Sequence, residues 1–542
     1  MCKYQRYIAA GLLLLSAHHG ALAKGPVASS NAMRAHVAFL ASDALEGRET
    51  GSRGYAVAAS YVATRMQQAG VLPNGDEGGY LQAVPLRATR LVATSPVLEI
   101  SGPAGKTALA YLDDFSVSGS LLEERSDVAA PLVFAGYGIE TVRFGQDDYA
   151  GLDVKGKIVV VLAGKPSSLP TEEGAHFSSG EFKRAAAARH GAVGMVTLQT
   201  PTTEKASPFA KARQYRFIPS MGWLDASGKP PHELAAMQNR AHLSMKASEQ
   251  LFAGTGVTLA DIYAAAEANR PLPRMVLKTS ARMAKQSVRS DLTGHNVVGL
   301  IEGSDPKLKD EYVVFSAHLD HLGIVPEKTG DNIFNGAMDN ATGVATLLEM
   351  ARLFGESPQR PKRSILFVAL TAEEKGLLGS EYFASNAPVR GGVMVANVNL
   401  DMPLLTYDFK NMMAFGAEHS SLKGTVERVL RRKNMALIAD PWPQLGLFTR
   451  SDHYMFVRQG VPSIFLATGM ASFKTGEQPA RLWDEFLGTR YHQPNDDMTQ
   501  ALNFDAAARF AQVNYDIAME IANAPTRPTW NKGDFFGDTF GK

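Results

Sequence analysis

The chain has 542 residues, of which 45% are hydrophobic and 20% are charged. This composition is typical of soluble globular proteins, and the length predicts two or three domains, each with a sizeable core. There are 55 Lys and Arg residues against 54 Asp and Glu residues, a balance that gives no sign of a nucleic-acid partner or an anionic membrane surface.

The first 23 residues (1–23) match the pattern of a secretory signal peptide. Lys3 and Arg6 precede the apolar run AAGLLLLSA, and ALA at 21–23 supplies the small residues of a cleavage site. The apolar run is too short to span a bilayer comfortably, and no later run is long enough, so we expect no integral membrane segment after cleavage. The one cysteine, Cys2, lies inside this segment, which leaves no disulfide framework. We therefore expect a periplasmic or secreted protein.

The rest of the chain divides by sequence pattern into a first part, a separately folded module, a regular second part and a tail. Residues 24–118 begin with two predicted helices and continue as short alternating strands from about residue 90. Residues 119–285 combine apolar strands such as GKIVVVLAG with an Ala-rich helix, which indicates a compact β-rich module. Apolar runs then alternate regularly with helical stretches over 286–525. The tail, 526–542, is either a docked arm or disordered.

The alternation over 286–525 predicts an α/β domain with a mixed, mostly parallel sheet sandwiched by helices. In such a sheet, ligands bind outside the carboxyl ends of the strands. Imidazole and carboxylate side chains follow the apolar runs or lie at the start of a predicted helix: His318 and Asp320, Asp339, Glu373 and Glu374, Asp401, and His492. Because these ends meet at one edge of the sheet, we expect the side chains to lie close together.

This mixture of side chains predicts a metal site. Imidazole with carboxylate suits Zn²⁺ or another first-row divalent ion, and a thiolate zinc site is disfavoured because no cysteine is available. The candidates are too many for one tetrahedral ion, whereas two ions with a bridging carboxylate would use them. Taken alone, Asp339 could be a helix N-cap. We do not count His321 as a ligand because it lies on a loop. Asp496 and Asp497 support either the His492 loop or a simple turn.

Five motifs carry a resemblance to a known family. AHLDHLG, GAMDNATG, LTAEEKGLLGS, NLDM and YHQPNDD resemble, in order and approximate spacing, the motifs of the M28 family of co-catalytic zinc peptidases. The resemblance covers roughly 286–525, and the predicted helices at 31–90 also look like the N-terminal part of that family. The inserted module, with GYGIE and DDYAGLDVKGKIVVVLAG, is similar to the protease-associated domain often inserted in these enzymes. We therefore expect a zinc exopeptidase fold with an inserted protease-associated domain.

The resemblance implies two Zn²⁺ ions and a role for each candidate residue. Five residues would be metal ligands, with one zinc held by His318 and Asp401, the other by Glu374 and His492, and Asp339 bridging both. Glu373 would be the general base, taking a proton from water acidified by the two ions. Asp320 would orient a catalytic-site imidazole through its carboxylate.

The function implied by the resemblance is that of an exported dinuclear zinc exopeptidase acting on peptides, in the first place an aminopeptidase. Two alternatives remain open at this point. A carboxypeptidase of the same fold would need a basic clamp for the terminal carboxylate of its substrate. A receptor-like binding protein would keep the fold without catalysis. We also expect the inserted domain to cover one side of the active-site cleft and to restrict substrate size.

Overall fold

The computed structural model of the chain describes residues 25–213, 215–231, 237, 239–326 and 328–541. The predicted signal peptide and Cys2 lie outside these residues. Among the described helices, none is both long enough and apolar enough to cross a membrane.

The described residues form two sheets with helices packed around them. The α-helices are, in chain order, α1 (Ser30–Leu40), α2 (Arg53–Gln68), α3 (Thr171–Ser178), α4 (Gly180–Arg189), α5 (Pro201–Ala206), α6 (Met245–Ser248), α7 (Leu259–Glu267), α8 (Thr342–Glu356), α9 (Leu378–Ser385), α10 (Leu422–Arg432), α11 (His453–Val457), α12 (Pro479–Thr489), α13 (Phe504–Asn523) and α14 (Phe535–Phe540). The strands are β1 (Leu72–Pro73), β2 (Leu81–Leu91), β3 (Val97–Gly102), β4 (Gly105–Ala108), β5 (Phe115–Ser116), β6 (Arg125–Ala135), β7 (Glu140–Thr141), β8 (Gln146–Asp147), β9 (Ile158–Leu162), β10 (Gly194–Leu198), β11 (Ser220–Trp223), β12 (Arg240–Leu243), β13 (Arg274–Ile301), β14 (Glu311–His318), β15 (Gly323–Ile324), β16 (Ile333–Phe334), β17 (Ser364–Leu370), β18 (Val393–Leu400), β19 (Asn411–Phe415), β20 (Ala436–Ile438) and β21 (Ser463–Thr468).

The first sheet has the order β11, β2, β13, β17, β14, β18, β21, β19, β20, and β1 pairs with the end of β13. Its central strands β17, β14, β18 and β21 run parallel to one another. Every residue of β17, SILFVAL, is buried. A continuous apolar strand of this kind is stable where helices cover both faces of a parallel sheet. The predicted α/β class with a mixed, mostly parallel sheet is therefore confirmed.

The second sheet has the order β4, β3, β13, β6, β9, β10, β12, β5. Its strand β9, IVVVL, is fully buried and packs in a hydrophobic core separate from that of the first sheet. The two sheets share β13, which has 28 residues. The first half of β13 pairs with β3 and β6, and its second half pairs with β2 and β17. One strand therefore joins the two sheets.

The strand pairing differs from the predicted domain bounds in two places. Strands β3 and β4, which we assigned to the N-terminal part of the main domain, belong to the second sheet. Strand β11, which we assigned to the inserted domain, pairs with β2 of the first sheet. Local alternation of apolar residues predicts a strand but carries no information about its partner. The second sheet consequently begins at Val97, well before the predicted boundary at residue 119.

The C-terminal tail is docked, which was one of the two outcomes left open by the sequence. Phe535 and Phe536 of α14 are buried. His419 of the first-sheet region lies between two carboxylates, with its Nδ1 2.5 Å from Asp534 of the tail and its Nε2 bonded to Glu172 of α3. This histidine therefore joins the tail, the first-sheet region and the second-sheet region.

We expect His419 to make the stability of the protein depend on pH. Burial alone would lower the pKa of His419, but its hydrogen bonds to Asp534 and Glu172 outweigh burial and raise the pKa to about 10. Because this pKa lies above that of the unfolded chain, the stabilisation is complete below about pH 6.5 and is lost as the pH rises through about 10. Urea unfolding at pH 6 and pH 10 should show that His419→Gln removes about 2–4 kcal/mol of this pH dependence. If the variant lost as much stability between pH 6 and pH 10 as the unmodified protein does, this role of His419 would be contradicted.

Candidate metal centre

The metal centre lies at the carboxyl edge of the first sheet. Strand β14 ends at His318, β17 is followed by Glu373 and Glu374, and β18 is followed directly by Asp401. These three strands are neighbours and run parallel. Their carboxyl ends therefore deliver an imidazole and three carboxylates to one place, as the topology rule for open α/β sheets requires.

Asp339 lies in a π-type turn, Ala337–Ala341, directly before α8. The backbone amides of Met338 and Asp339 donate to the buried carboxylate of Asp496, at 2.9 and 3.0 Å. Asp496 follows His492 by four residues, so this carboxylate ties the His492 loop to the turn that carries Asp339. The structure thus gives Asp496 a specific role, to hold two loops of the centre together.

The five predicted ligands lie together in two groups that share Asp339. His318 Nε2 is 3.2 Å from Asp339 Oδ1 and 3.2 Å from Asp401 Oδ1. His492 Nε2 is 3.2 Å from Asp339 Oδ2 and 3.2 Å from Glu374 Oε2. The two carboxylate oxygens of Asp339 therefore face different imidazoles, which is the arrangement expected of a bridging carboxylate. Their roles as ligands stay a prediction.

His321 also belongs to this centre, although we set it aside at the sequence level. Its side chain is fully buried, and its Nδ1 lies 2.7 Å from Glu374 Oε1 and 4.0 Å from Asp339 Oδ2. Its Nε2 is buried with no hydrogen-bond partner in the described part of the chain. The signal available in the sequence was its position three residues after His318. Its loop position was a poor reason to dismiss it, because the loop folds back over the carboxyl edge.

The predicted contact of Asp320 is wrong. Its carboxylate accepts hydrogen bonds from the backbone amides of Glu373 at 3.0 Å and Glu374 at 3.3 Å. The imidazole of His318 instead faces the backbone carbonyl of Asp320, with Nδ1 at 3.1 Å. The loop after β17 presents two amides that lack a strand partner, and the Asp320 carboxylate satisfies them. Asp320 therefore positions the two glutamates rather than an imidazole ring through its side chain.

Arg48 is a functional residue that the sequence did not reveal. Its buried guanidinium donates to the backbone carbonyls of Leu319 at 2.9 Å, Asn335 at 2.5 Å and Gly336 at 3.0 Å. Leu319 adjoins His318, and the other two carbonyls lie just before the turn that carries Asp339. Arg48 therefore fixes the backbones of two loops whose side chains meet at the centre. Its position in the segment LEGRETG gave no local sign of these distant partners.

The electrostatics of the centre divide its carboxylates into two kinds. Burial alone would raise the pKa of Asp339, but His318, His321 and His492 hold it well below its usual range. Burial would likewise raise the pKa of Glu374, and the imidazoles of His492 and His321 hold it low.

Glu373 behaves in the opposite way. Burial raises its pKa well above the usual range, and the nearby carboxylates of Glu374, Asp452 and Asp401 add to this rise against the opposing effect of His318. Neighbouring groups with opposite pKa shifts are typical of sites that separate binding from acid–base work.

The donor set fits divalent cations. The carboxylates of Asp339, Glu374 and Asp401 are nearly or fully enclosed, and within the described ranges their ion-pair partners are histidines rather than Lys or Arg. Carboxylates in a buried space require a compensating positive charge. Imidazole nitrogen and carboxylate oxygen are the ligands that zinc takes in hydrolytic sites. Bound divalent cations would supply the missing positive charge.

Comparison with known proteins agrees with this geometry. Residues 296–518 match the model of peptidase family M28. All seven residues predicted for the centre lie within this match. The resemblance to M28 zinc peptidases that we placed at 286–525 is therefore confirmed over residues 296–518. We refer to residues 296–518 below as the M28 region.

Two curated relatives match the M28 region with its surroundings. A probable zinc metalloprotease of Pyrenophora tritici-repentis is 28% identical over 260 residues, which are 43% of this chain and 58% of the relative. A probable leucine aminopeptidase 2 of Aspergillus fumigatus is 29% identical over 253 residues, 43% of this chain and 46% of the relative. The chain thus spans about half the length of the curated relatives that it matches.

The fold as a whole is similar to that of a solved enzyme. The aminopeptidase from Aneurinibacillus sp. strain AM-1 superposes with a TM-score of 0.53 at 18% sequence identity. The superposition covers 92% of this chain and 95% of the other, so the likeness includes the second sheet as well as the M28 region.

Proposed function

We propose that this protein is an exported dinuclear zinc aminopeptidase, which hydrolyses the N-terminal residue from peptides. The observation that carries the proposal is the shared position of Asp339, whose two oxygens face His318 on one side and His492 on the other. The match of the M28 region and the aminopeptidase names of relatives support the choice of reaction. Export rests on the signal-peptide pattern of residues 1–23, which predicts a periplasmic or secreted location.

In this proposal each side of the centre holds one zinc ion. His318 and Asp401 would hold one ion, and His492 and Glu374 would hold the other, with Asp339 common to both. Ser451 donates a hydrogen bond to Asp401 Oδ2 at 2.6 Å and so fixes the orientation of that carboxylate. Bound zinc ions would supply Lewis-acid chemistry, acidifying water and polarising the peptide carbonyl. His321 places a further imidazole beside Glu374. Its Nδ1 lies 2.7 Å from Glu374 Oε1 and so orients the Glu374 carboxylate.

Glu373 is the proposed general base. Its backbone amide donates to the Asp320 carboxylate, and burial raises the pKa of the Glu373 carboxyl above its usual range, so this carboxylate takes up a proton more readily than an exposed glutamate. Glu373 takes a proton from the attacking water and passes it to the amine of the leaving peptide. Peptide hydrolysis then needs no nucleophilic side chain.

The second-sheet region is proposed to act as a protease-associated domain that limits substrate size. A cleft of about 490 Å³ opens beside the centre, and we call it the metal cleft. Glu374 and His492 line it from the M28 region, and Leu121, Arg184 and Arg240 line it from residues 119–285. In this proposal these residues of the module cover one side of the cleft.

Comparing a free and an N-acetylated peptide tests the proposed reaction. An aminopeptidase requires the free N-terminal amine, so Leu-Gly-Gly should release leucine while acetyl-Leu-Gly-Gly stays intact. Leucine is the first choice because one relative is named a leucine aminopeptidase. Mass spectrometry of the products identifies which end is cleaved. Release of the C-terminal glycine from the acetylated peptide would replace the proposal with the carboxypeptidase alternative, and zinc-loaded protein that cleaves neither peptide would support the binding-protein alternative.

A further inference from the structure

A second cavity, of about 360 Å³, adjoins the metal cleft on the side of the second sheet. Among the described residues, neither Asp nor Glu lines this cavity. Its charged or titratable lining residues are all basic: Arg90, Arg184, Arg216, Arg240 and, when protonated, His242. We call this cavity the arginine pocket. Its walls come from strands of both sheets, because Arg90 lies on β2 and Arg240 on β12.

The arginine pocket and the metal cleft are neighbours that share part of their walls. Arg184, Tyr215 and Arg240 line both of them. The ring of Tyr215 lies 6.5 Å, centre to centre, from the ring of His492, one of the predicted zinc ligands. Tyr215 therefore lies on the path along which a ligand at the metal centre would extend toward the arginine pocket.

Arg184 and Arg240 face the pocket without a carboxylate partner. In the part of the chain that the structure describes, neither guanidinium forms an ion pair, and Arg184 Nε is buried with no hydrogen-bond partner. Burial lowers the pKa of Arg240 to about 9, and the positive charge of Arg184 adds to this effect. Glu181, three residues before Arg184 on the same helix, opposes the lowering of the Arg184 pKa by burial through its charge, but its carboxylate is bonded to Arg458 at 3.0 Å.

Arg184 and Arg240 are half-buried, and two neighbouring guanidiniums that are partly withdrawn from water repel each other unless an anion lies between them. The planar guanidinium matches a carboxylate with two parallel hydrogen bonds, which makes arginine the usual residue for recognising that group. Arg90 and Arg216 are exposed at the rim, where they bond to backbone carbonyls and add positive potential. The chemistry of the pocket therefore fits a carboxylate that enters from the metal cleft.

We propose that the arginine pocket binds a carboxylate of the peptide substrate on the leaving-group side of the scissile bond. This inference rests on the proposed peptidase function, because it assumes that the N-terminal end of the peptide occupies the metal centre. The carboxylate is either the free C-terminus of a short peptide or the side chain of an Asp or Glu residue. In both cases the favoured substrates are short peptides with a negative charge beyond the first residue.

Binding to a protein that cannot turn the peptide over tests the pocket directly. In a Glu373→Gln background loaded with zinc, isothermal titration would compare Leu-(Gly)n free acids, n from 1 to 4, with their C-terminal amides. Hydrogen bonds to charged groups predict a preference of about tenfold to a hundredfold in Kd for the free acid at the length that reaches the pocket. Amidated peptides with an internal Glu separate the two sources of the carboxylate, because they bind tightly only if a side chain is the ligand.

The arginines are tested in the same background. Arg240→Gln and, separately, Arg184→Gln should each reduce the preference for the charged peptide, and circular dichroism would establish that each variant is folded. Arg125→Gln is the matched control, because Arg125 is exposed on the same module and lines neither cavity. Equal Kd values for charged and neutral peptides, or a preference that survives in both folded variants, would overturn the proposal.

Failure of the proposed function would look different from failure of the pocket. If the reaction is not that of an aminopeptidase, the protein with Glu373 intact releases no N-terminal residue from any peptide in the series, whatever the Kd values are. If the pocket alone is wrongly assigned, N-terminal residues are released from free acids and amides at similar kcat/KM.

Discussion

Glu373→Gln should strongly reduce the rate of peptide hydrolysis while leaving the zinc content unchanged. A general base contributes about 10²–10⁴-fold to the rate, so kcat should fall by a factor in that range. Glutamine keeps the size of the side chain and loses the proton acceptor. In the proposed ligand set the carboxylates are those of Asp339, Glu374 and Asp401, so we expect the metal to stay bound without the Glu373 carboxylate.

The neighbouring residue supplies the matched comparison. Glu374→Gln makes the same chemical change one position further along, where the carboxylate faces His492 at 3.2 Å and His321 at 2.7 Å. This variant should lose zinc, whereas Glu373→Gln should keep it. Glu485→Gln, on the exposed side of α12, controls for the loss of a surface carboxylate. Full turnover by Glu373→Gln would remove that residue from the mechanism.

Asp339→Asn should weaken both halves of the metal centre at once. The amide removes the negative charge that the two halves share and can present one oxygen instead of two. Loss of an outer-shell partner already costs about 10–100-fold in metal affinity, and loss of a bridging ligand should exceed that. Zinc content measured by mass spectrometry after dialysis against a competing chelator should fall for both ions, whereas Asp401→Asn should affect one.

The control for this variant is Asp331→Asn, an exposed turn aspartate whose carboxylate accepts from the amide of Ile333 at 3.2 Å. It lies in the same segment before α8 and is not part of the centre. It should retain the metal content of the unmodified protein. If Asp339→Asn also retained two tightly bound zinc ions, Asp339 would not be the bridge.

The class of the main sheet, and the meeting of imidazole and carboxylate side chains at one of its edges, could be predicted from the sequence, whereas the set of five candidate ligands came from the resemblance to a family. Apolar runs such as SILFVAL identify buried parallel strands, and the carboxyl ends of neighbouring parallel strands must share an edge. His318 and Asp401 are fixed to that edge by their places at strand ends.

Contacts made by loops could not be predicted in this way. The spacing of His318 and Asp320 says nothing about where the Asp320 carboxylate points, and it turns to the amides of Glu373 and Glu374. His321 enters the centre because its loop folds back over the sheet edge. Arg48 binds carbonyls about 270–290 positions further along the chain, a link that no local pattern contains.

The arginine pocket lies beyond local sequence reasoning for the same reason. Arg90, Arg184 and Arg240 are separated by long stretches of chain, and strands β2 and β12 of two different sheets, together with helix α4, bring them to one cavity. The pairing of β3 and β11 with sheets other than those we assigned also depends on contacts between distant strands.

Titration of the metal-free protein with zinc tests the central claim most directly. Peptide hydrolysis and bound zinc would be measured in parallel on protein stripped by a chelator, with Leu-Gly-Gly as substrate. The account predicts that activity is absent in the stripped protein and that binding saturates at two zinc ions per chain, with full activity at the second. Full activity without added metal, or saturation of both binding and activity at a single zinc ion, would contradict it.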